Sequence, residues 1–454
     1  MRKIFVLLFA AGISANIFAG GIMTNTNQSA SYIRMLARDA SLGIDAVYYN
    51  PAGLTSLAEG FHMSLNNQSI FQNRSIRNDF ALLNQDEFKG SVTAPMFPSI
   101  YAVYKTGKVA LSFGFNPVGG GGGAVYEDGL PSFETDVAGL VPVLSGAGVT
   151  GYRNDIHFEG NSIFFGGQLG VSYEINDILS FYGGARYVMA NNSYEGYLKD
   201  IEVDTPAGWM SPGGYLRNVI APMQTGMEQA VTLATADALD VATADVEVDA
   251  IQKANAIAPV LGISIKPSEQ FNIGIKYEFL TKLELENETT VDGTGMFPDG
   301  AKTRSDMPAM LSVGAAYQAT PQLNLSGGIH YYFDKSADYG KALSNDELID
   351  NNFIELAFGL EYSITSDLLV SGGYLRTQTG VKEAYHSDLS HSLSTNNFGL
   401  GGRYAINDMI AVNLGFLMSF YEEDSRSYNI ATIPVNETYN RDNMVFAIGL
   451  DFRF

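Results

Sequence analysis

The chain has 454 residues, a formal charge of −22, 46% hydrophobic residues and no cysteine. Without cysteine there are no disulfides, lipoprotein anchor, thiolate metal site or Cys nucleophile. So strong an acidic excess argues against nucleic-acid binding, which relies on basic residues to neutralise phosphates.

The first element is a leader. Met1-Arg-Lys is followed by the apolar run Ile4-Phe-Val-Leu-Leu-Phe-Ala-Ala11, and Ile17-Phe-Ala19 before Gly20-Gly21 gives a small-residue cleavage site. Residues 1–19 are therefore read as a signal peptide. The new N-terminal stretch, Gly21-Ile-Met-Thr-Asn-Thr-Asn-Gln-Ser29, is polar. No later segment offers the roughly 18 consecutive apolar residues of a membrane helix.

Next comes Asp45-Ala-Val-Tyr-Tyr-Asn-Pro-Ala-Gly-Leu54. Its chemistry predicts a short helix, with Asn50 as N-cap, Pro51 at the first helical position and Gly60 ending the turn. Almost everything downstream reads as strand, so this piece either hangs free or is enclosed by strands as a plug over residues 20–60.

The strands alternate. Phe271-Asn-Ile-Gly-Ile-Lys-Tyr-Glu-Phe279 does so without a miss, Leu323–Phe333 with the exception of Tyr332, and Ile163–Tyr173 with that of Phe164. Period two gives one apolar and one wet face, in a soluble sandwich as much as in a barrel. The connectors help to decide. Five tight polar turns follow Tyr173, Ile265, Tyr317, Tyr362 and Tyr404, and the last three tyrosines are 45 and 42 residues apart. Each step holds two strands and one long connection, where a propeller repeat would hold about four strands. Short turns alternating with long loops are the pattern of an outer-membrane barrel.

Fourteen strands are predicted, at 61–72, 98–105, 108–117, 162–174, 178–190, 259–266, 270–285, 309–318, 322–333, 352–363, 367–377, 395–405, 409–421 and 442–454. The fold class is therefore an all-β, 14-stranded antiparallel transmembrane β-barrel over 61–454, with the helical plug in its lumen. Met444–Phe454 ends on an aromatic residue, which resembles the signal that outer-membrane barrels present to their insertion machinery. Arg186, Lys276, Glu278, Glu355, Glu361, Arg403, Asp451 and Arg453 fall on wet faces and are expected in the lumen.

Two long outer loops are predicted, 118–160 and 191–258. The first opens on Gly119–Gly123, which lacks the Lys-Ser/Thr of a phosphate loop and reads as a flexible segment. It also carries Leu140, Val141, Val143 and Leu144. The second contains an amphipathic helix with Met227, Ala230, Val231, Ala234, Ala238 and Val241 on one face. These apolar residues either form a greasy landing site or pack the loops together. Arg153, Lys199 and Arg217 are candidate carboxylate contacts there. The five histidines (His62, His157, His330, His386, His391) have no zinc-helix spacing, and His386 and His391 in a Ser-rich loop read as solvated. No catalytic set is found, and neither metal nor cofactor is expected.

Asp45–Leu54, the 14-strand count, the two enlarged loops and Met307-Pro-Ala-Met-Leu-Ser-Val-Gly-Ala-Ala-Tyr317 together resemble the FadL family of outer-membrane transport proteins. The family's Asn-Pro-Ala motif maps onto Asn50, Pro51 and Ala52. The resemblance implies passive uptake of long-chain fatty acids or aromatic hydrocarbons across the outer membrane of a Gram-negative bacterium. Solute would be captured by the outer loops and pass to an inner pocket. It would then leave sideways into lipid at a kinked third strand, where Gly114, Asn116 or Pro117 supplies the kink. The competing reading is a structural or secretion-associated barrel; a general porin and an outer-membrane lipase fit less well.

Overall fold

The structure, a computed structural model, describes residues 22–430 and 432–454. The expected signal peptide lies outside the described residues. Fourteen strands form a closed antiparallel ring: β1 (Gly60–Asn78), β2 (Glu87–Thr106), β3 (Val109–Tyr126), β4 (Gly151–Asn176), β5 (Leu179–Thr205), β6 (Val246–Ser268), β7 (Phe271–Glu278), β8 (Met310–Gln318), β9 (Leu323–Tyr332), β10 (Ile354–Ser363), β11 (Leu368–Gln378), β12 (Thr395–Ala405), β13 (Ile410–Tyr421) and β14 (Ile433–Arg453). Neighbours in sequence are neighbours in the sheet, and β14 pairs with β1 from His62↔Arg453 to Asn78↔Glu437, closing the wall. Short strands at Gly208–Met210, Glu284–Asp292, Lys302–Arg304 and Asp424–Ile430 add to the sheet beyond the ring.

The period-two pattern explains the wall. Leu169, Ile257, Phe358 and Leu400 face outward and are exposed, while Lys276, Glu355 and Asn413 face inward and are buried. An apolar outer face with a polar lumen is what a bilayer demands of a barrel. Tyr173, Tyr317, Tyr362 and Tyr404 are exposed just before short turns, placing aromatic rings at one rim. Both ends of the barrel domain lie at that rim, where the Phe454 amide donates to the Phe61 carbonyl at 2.8 Å.

The third to sixth strands run much further than the apolar alternation suggested. The β4–β5 ladder extends from Asn176↔Leu179 to Gly151↔Asp204, and β5–β6 continues to Leu198↔Val246. Loops thus occupy 127–150 and 206–245 rather than 118–160 and 191–258. The reason is packing. Past the predicted segments, inward residues such as Tyr194, Leu198 and Phe158 pack in the buried core instead of extending an outward apolar stripe. Phe133 from the loop helix α3 (Pro131–Ala138) meets Phe158 edge-on at 5.4 Å.

Residues 22–59 fill the lumen. Helices α1 (Ala30–Arg34) and α2 (Ala46–Tyr49) are almost wholly buried there. The predicted helix at Asn50 takes a different form: α2 ends before Asn50, and Pro51–Ser56 is a 3₁₀ turn without a side-chain cap from Asn50. The Asn50 amide instead donates to the Ser41 carbonyl at 3.1 Å. Gly60, with φ +116°, opens β1 against the Phe454 carbonyl and does not end that turn.

Two cross-strand triplets of glycine make room for the plug: Gly274, Gly314 and Gly328, and Gly359, Gly373 and Gly399. A Cβ at Gly314 would collide with Asp39, and one at Gly373 with Met35 and Leu36. Gly314→Val is therefore expected to leave a folded barrel, seen as heat-modifiable gel migration, while unseating the plug. Permeability to a hydrophilic antibiotic should then rise.

Candidate functional site: a plugged lumen and a parted wall

The plug is tied to itself and to the wall by buried charge. Arg38 reaches Asp45 with two bonds, Nε to Oδ2 at 2.9 Å and Nη2 to Oδ1 at 2.8 Å, and Ser41 Oγ donates to the same carboxylate at 2.7 Å. Burial raises the Asp45 carboxyl, but Arg38 and Ser41 outweigh it and hold the group below its ordinary value. Arg34 of α1 pairs with Glu361 of β10 at 2.6 Å. Asp39 meets His330 Nε2 at 2.7 Å, and His330 Nδ1 meets Glu355 at 2.7 Å. Lys276 donates to the Tyr48 carbonyl at 2.7 Å and lies 4.2 Å from its ring centre, while Arg186, paired with Glu278, lies over the same ring at 4.9 Å. Breaking a buried pair leaves an uncompensated charge, so each tie fixes position strongly even where its net stability is small.

The Asn50-Pro51-Ala52 motif sits against the wall. The Pro51 carbonyl accepts from Ser172 Oγ at 2.6 Å, and Ala52 packs with Tyr182 and Val260. Gly53 and Gly274 lie so close to the Asn50 side chain that neither position has room for a Cβ.

The wall parts at one place. β2 and β3 pair from Thr106↔Val109 to Ile100↔Phe115, and then only at Ser91↔Val125. Gly114 stays in the regular ladder opposite Tyr101, whereas Asn116 and Pro117 stand where the strands separate. The glycine run beyond them is not a free segment. Gly119, Gly122 and Gly123 remain paired with β4, and Gly119 also bridges Thr24 of the plug. A Cβ at Gly119 would strike the Met23 carbonyl, and Gly120 has φ +94°. A cavity of about 400 Å³ occupies the parting, lined among others by Ala94, Met96, Phe97, Gly119, Gly122 and Ile163.

Gln28 of the plug stands beside this opening. Its Nε2 donates to the Pro117 carbonyl at 2.7 Å, its Oε1 accepts from Asn116 at 2.7 Å, and its carbonyl accepts from Ser99 at 2.6 Å and Tyr101 at 2.8 Å. Parted strands in a bilayer leave polar groups that hydrocarbon cannot satisfy, so a polar plug segment is needed there. The sequence signal for Gln28 was the polarity of residues 21–29; which wall it faces is a long-range fact.

The outer loops are divided. Leu140 and Leu144 are buried and Val141 packs against the core, but Val143 is exposed. On helix α4 (Gly226–Ala242) the buried residues are Ala236 and Leu239, so the predicted apolar stripe, with Met227 and Val231, faces outward. The two loops touch where the Tyr215 hydroxyl donates to the Ala147 carbonyl. Arg153, Lys199 and Arg217 do not offer free cations: Arg153 Nε donates to Glu202 at 2.6 Å, Lys199 pairs with Glu247 at 3.2 Å, and Arg217 with Asp237 at 2.8 Å and with Asp240. Neighbouring carboxylates already neutralise them, at the outer ends of β4, β5 and β6 for Arg153 and Lys199 and within the 206–245 loop for Arg217. His386 and His391 are buried rather than solvated, because their loop folds inward and both rings lie against Tyr439.

No family model matches the sequence, and comparison with curated proteins finds no relative. Solved structures do match. The chain shares the fold of a Pseudomonas aeruginosa FadL homologue (TM-score 0.66, 15% identity, covering 96% of this chain and 100% of that one). It is similar also to the Pseudomonas putida toluene transporter TodX (TM-score 0.61, 14% identity, 97% and 100% covered). A third match is the Ralstonia pickettii toluene transporter TbuX (TM-score 0.54, 18% identity, 91% and 94% covered).

Arg38→Ala is expected to destabilise the plug by about 3 kcal/mol, the usual size of a broken buried pair, read as faster amide exchange over 44–50. Because Asp45 is held below its ordinary value, its contribution is present above the unfolded carboxyl value of about 4 and is lost as pH falls through the lower, folded one. Wild-type plug protection should therefore hold from neutrality to about pH 4 and fade below it.

Proposed function

We propose that this chain is a passive outer-membrane channel of the FadL and TodX type that takes up hydrophobic compounds, with long-chain fatty acids as the principal solute. It acts at the outer membrane of a Gram-negative bacterium, reached by way of the signal peptide 1–19 and the insertion signal ending in Phe454. The observation that carries this reading is the combination of a plugged axis with a parted wall: the lumen is filled by residues 22–59, and β2 and β3 lack mutual pairing between Ser91 and Ile100.

The physics favours such a route. A water-filled pore offers a greasy solute nothing, since hydrating apolar area costs about 25 cal/mol per Å². Val143, Met227 and Val231 present apolar surface at the outer end, where capture begins. Leu140, Val141 and Leu144 support that surface from beneath. Solute then descends to the cavity beside Met96 and Phe97 and leaves between β2 and β3 into lipid, with Asn116 and Pro117 marking the start of the opening. Asn50, Pro51 and Ala52 keep the plug seated, so water and ions do not follow.

The test is uptake of labelled oleate, toluene and a sugar by cells that lack their own channel and express this protein. Saturable uptake of a greasy solute but not of sugar is expected. Equal passage of sugar would mean a porin, and no gain for either greasy solute a structural or secretion-associated barrel. With Ala94→Cys and Gly122→Cys in this cysteine-free chain, a cleavable thiol cross-linker across the opening should abolish uptake, and cleavage should restore it.

A further inference from the structure

The cavity in the parted wall has one charged side chain among the described residues that line it, and that side chain is acidic: Glu159 of β4. Glu159 is exposed on the outward face of β4, in line with Asn161, Ile163 and Phe165, so its carboxylate stands at the outer lip of the opening. The register sets Glu195 of β5 directly opposite Glu159, and Asp249 of β6 directly opposite Glu195. Like charges directly opposite one another on neighbouring strands are destabilising, and none of the three has an ion-pair partner among the described residues. The nearby cations on this face are already paired: Lys89 of β2 with Glu87 at 3.2 Å, Lys199 of β5 with Glu247 at 3.2 Å and Lys253 of β6 with Glu288. His157, two residues along β4, has its Nδ1 3.4 Å from Glu127.

The charge on the way to this lip has the same sign. Loops 127–150 and 206–245 hold eight acidic residues and a single basic one, Arg217, which pairs with Asp237 and Asp240. The apolar surface around Val143, Met227 and Val231 therefore lies in a negative field. A carboxylate brought beside other carboxylates is disfavoured in its charged form. An ion entering hydrocarbon costs far more than a neutral polar group, which loses only its hydrogen bonds to water. A route that starts in a negative field, passes Glu159 and ends in lipid thus hinders an anion and leaves an uncharged molecule free.

We propose that Glu159, with Glu195 and Asp249 beside it, is a charge filter at the opening that admits uncharged solutes and turns back anions, so that a long-chain fatty acid leaves as the protonated acid. This rests on the channel reading above and adds to it the form in which the solute is carried. The carboxylate of the fatty acid takes one proton from solvent at the outer surface and becomes the neutral acid; no other bond changes. Glu159 acts by its charge and sets specificity, and the route needs no cation to hold the headgroup.

The experiment measures initial uptake of labelled oleate and oleyl alcohol, at about pH 6 and about pH 8, both above the ordinary carboxyl range. The cells lack their own channel and express this protein, and uptake by cells carrying empty vector is subtracted. The neutral fraction of oleate falls about tenfold per pH unit there, so the wild-type ratio of oleate to alcohol uptake should fall by about tenfold or more from the lower pH to the higher. Glu159→Lys should raise that ratio several-fold at the higher pH and flatten its pH dependence; a general loss of activity cancels in the ratio. Glu159→Gln should shift it the same way by less. A wild-type ratio that does not change with pH, or a Glu159→Lys ratio with the wild-type pH dependence, overturns the filter while the channel reading stands. If Glu159→Lys takes up neither solute, Glu159→Gln decides, and a wild-type ratio there overturns the filter. Failure of the wild type to take up either solute overturns the channel reading, and the filter with it.

Discussion

A bilayer offers no partner to a bare backbone amide or carbonyl, and this constraint organises the molecule. The other junctions of the ring stay paired with at most local register shifts, as at Gln68/Ile70 and Pro117/Gly119/Gly122, whereas the β2–β3 junction loses its pairing between Ser91 and Ile100. There the plug steps in. Thr24 bridges Gly119, the Asn25 amide donates to the Val118 carbonyl at 2.8 Å, and Gln28 serves Asn116, Pro117, Ser99 and Tyr101. The plug is thus part of the wall's hydrogen bonding as well as a stopper, and the wall opens where the plug supplies the missing partners.

Seating such a plug needs both space and charge. The glycine triplets remove side chains where α1 and Asp39 approach the strands. The ion pairs Arg34–Glu361 and Asp39–His330–Glu355 then fix depth and rotation. Buried pairs of this kind add little net stability against an apolar core, but each tolerates only one arrangement. Hydrophobic contact alone, being non-directional, would let the plug slide.

Much of the architecture was legible in the sequence because a barrel wall has a period of two and each crossing carries its own alternation. Each of the fourteen predicted segments overlaps a strand of the ring, although the seventh, 270–285, runs past the end of β7 at Glu278. Where the reading stopped short, tertiary contacts had replaced the lipid signal. Tyr194 continues β5 by stacking on Phe297 at 5.1 Å, and Leu198 by packing in the buried core. Asn50 had the composition of a cap, yet Ser41 holds its side chain. The run Gly119–Gly123 looked flexible because its function is close approach to Met23, which only the fold reveals. Paired glycines such as Gly327-Gly328 and Gly372-Gly373 in mid-strand were a signal for the plug's seat that alternation did not use. Gln28, Ser99, Tyr101, Asn116 and Pro117 belong to different elements, so no local pattern could unite them.

The central claim is that solute leaves through the wall while the plug remains in place. The most direct test is oleate uptake with the plug locked by disulfides. Thr55→Cys with Ser180→Cys joins side chains whose oxygens lie 2.8 Å apart, and Ser31→Cys with Asn413→Cys joins a pair at 3.2 Å. The account predicts that oxidised, locked protein takes up oleate as fast as the reduced form. Uptake that stops on oxidation and returns on reduction would place the route along the barrel axis and contradict it.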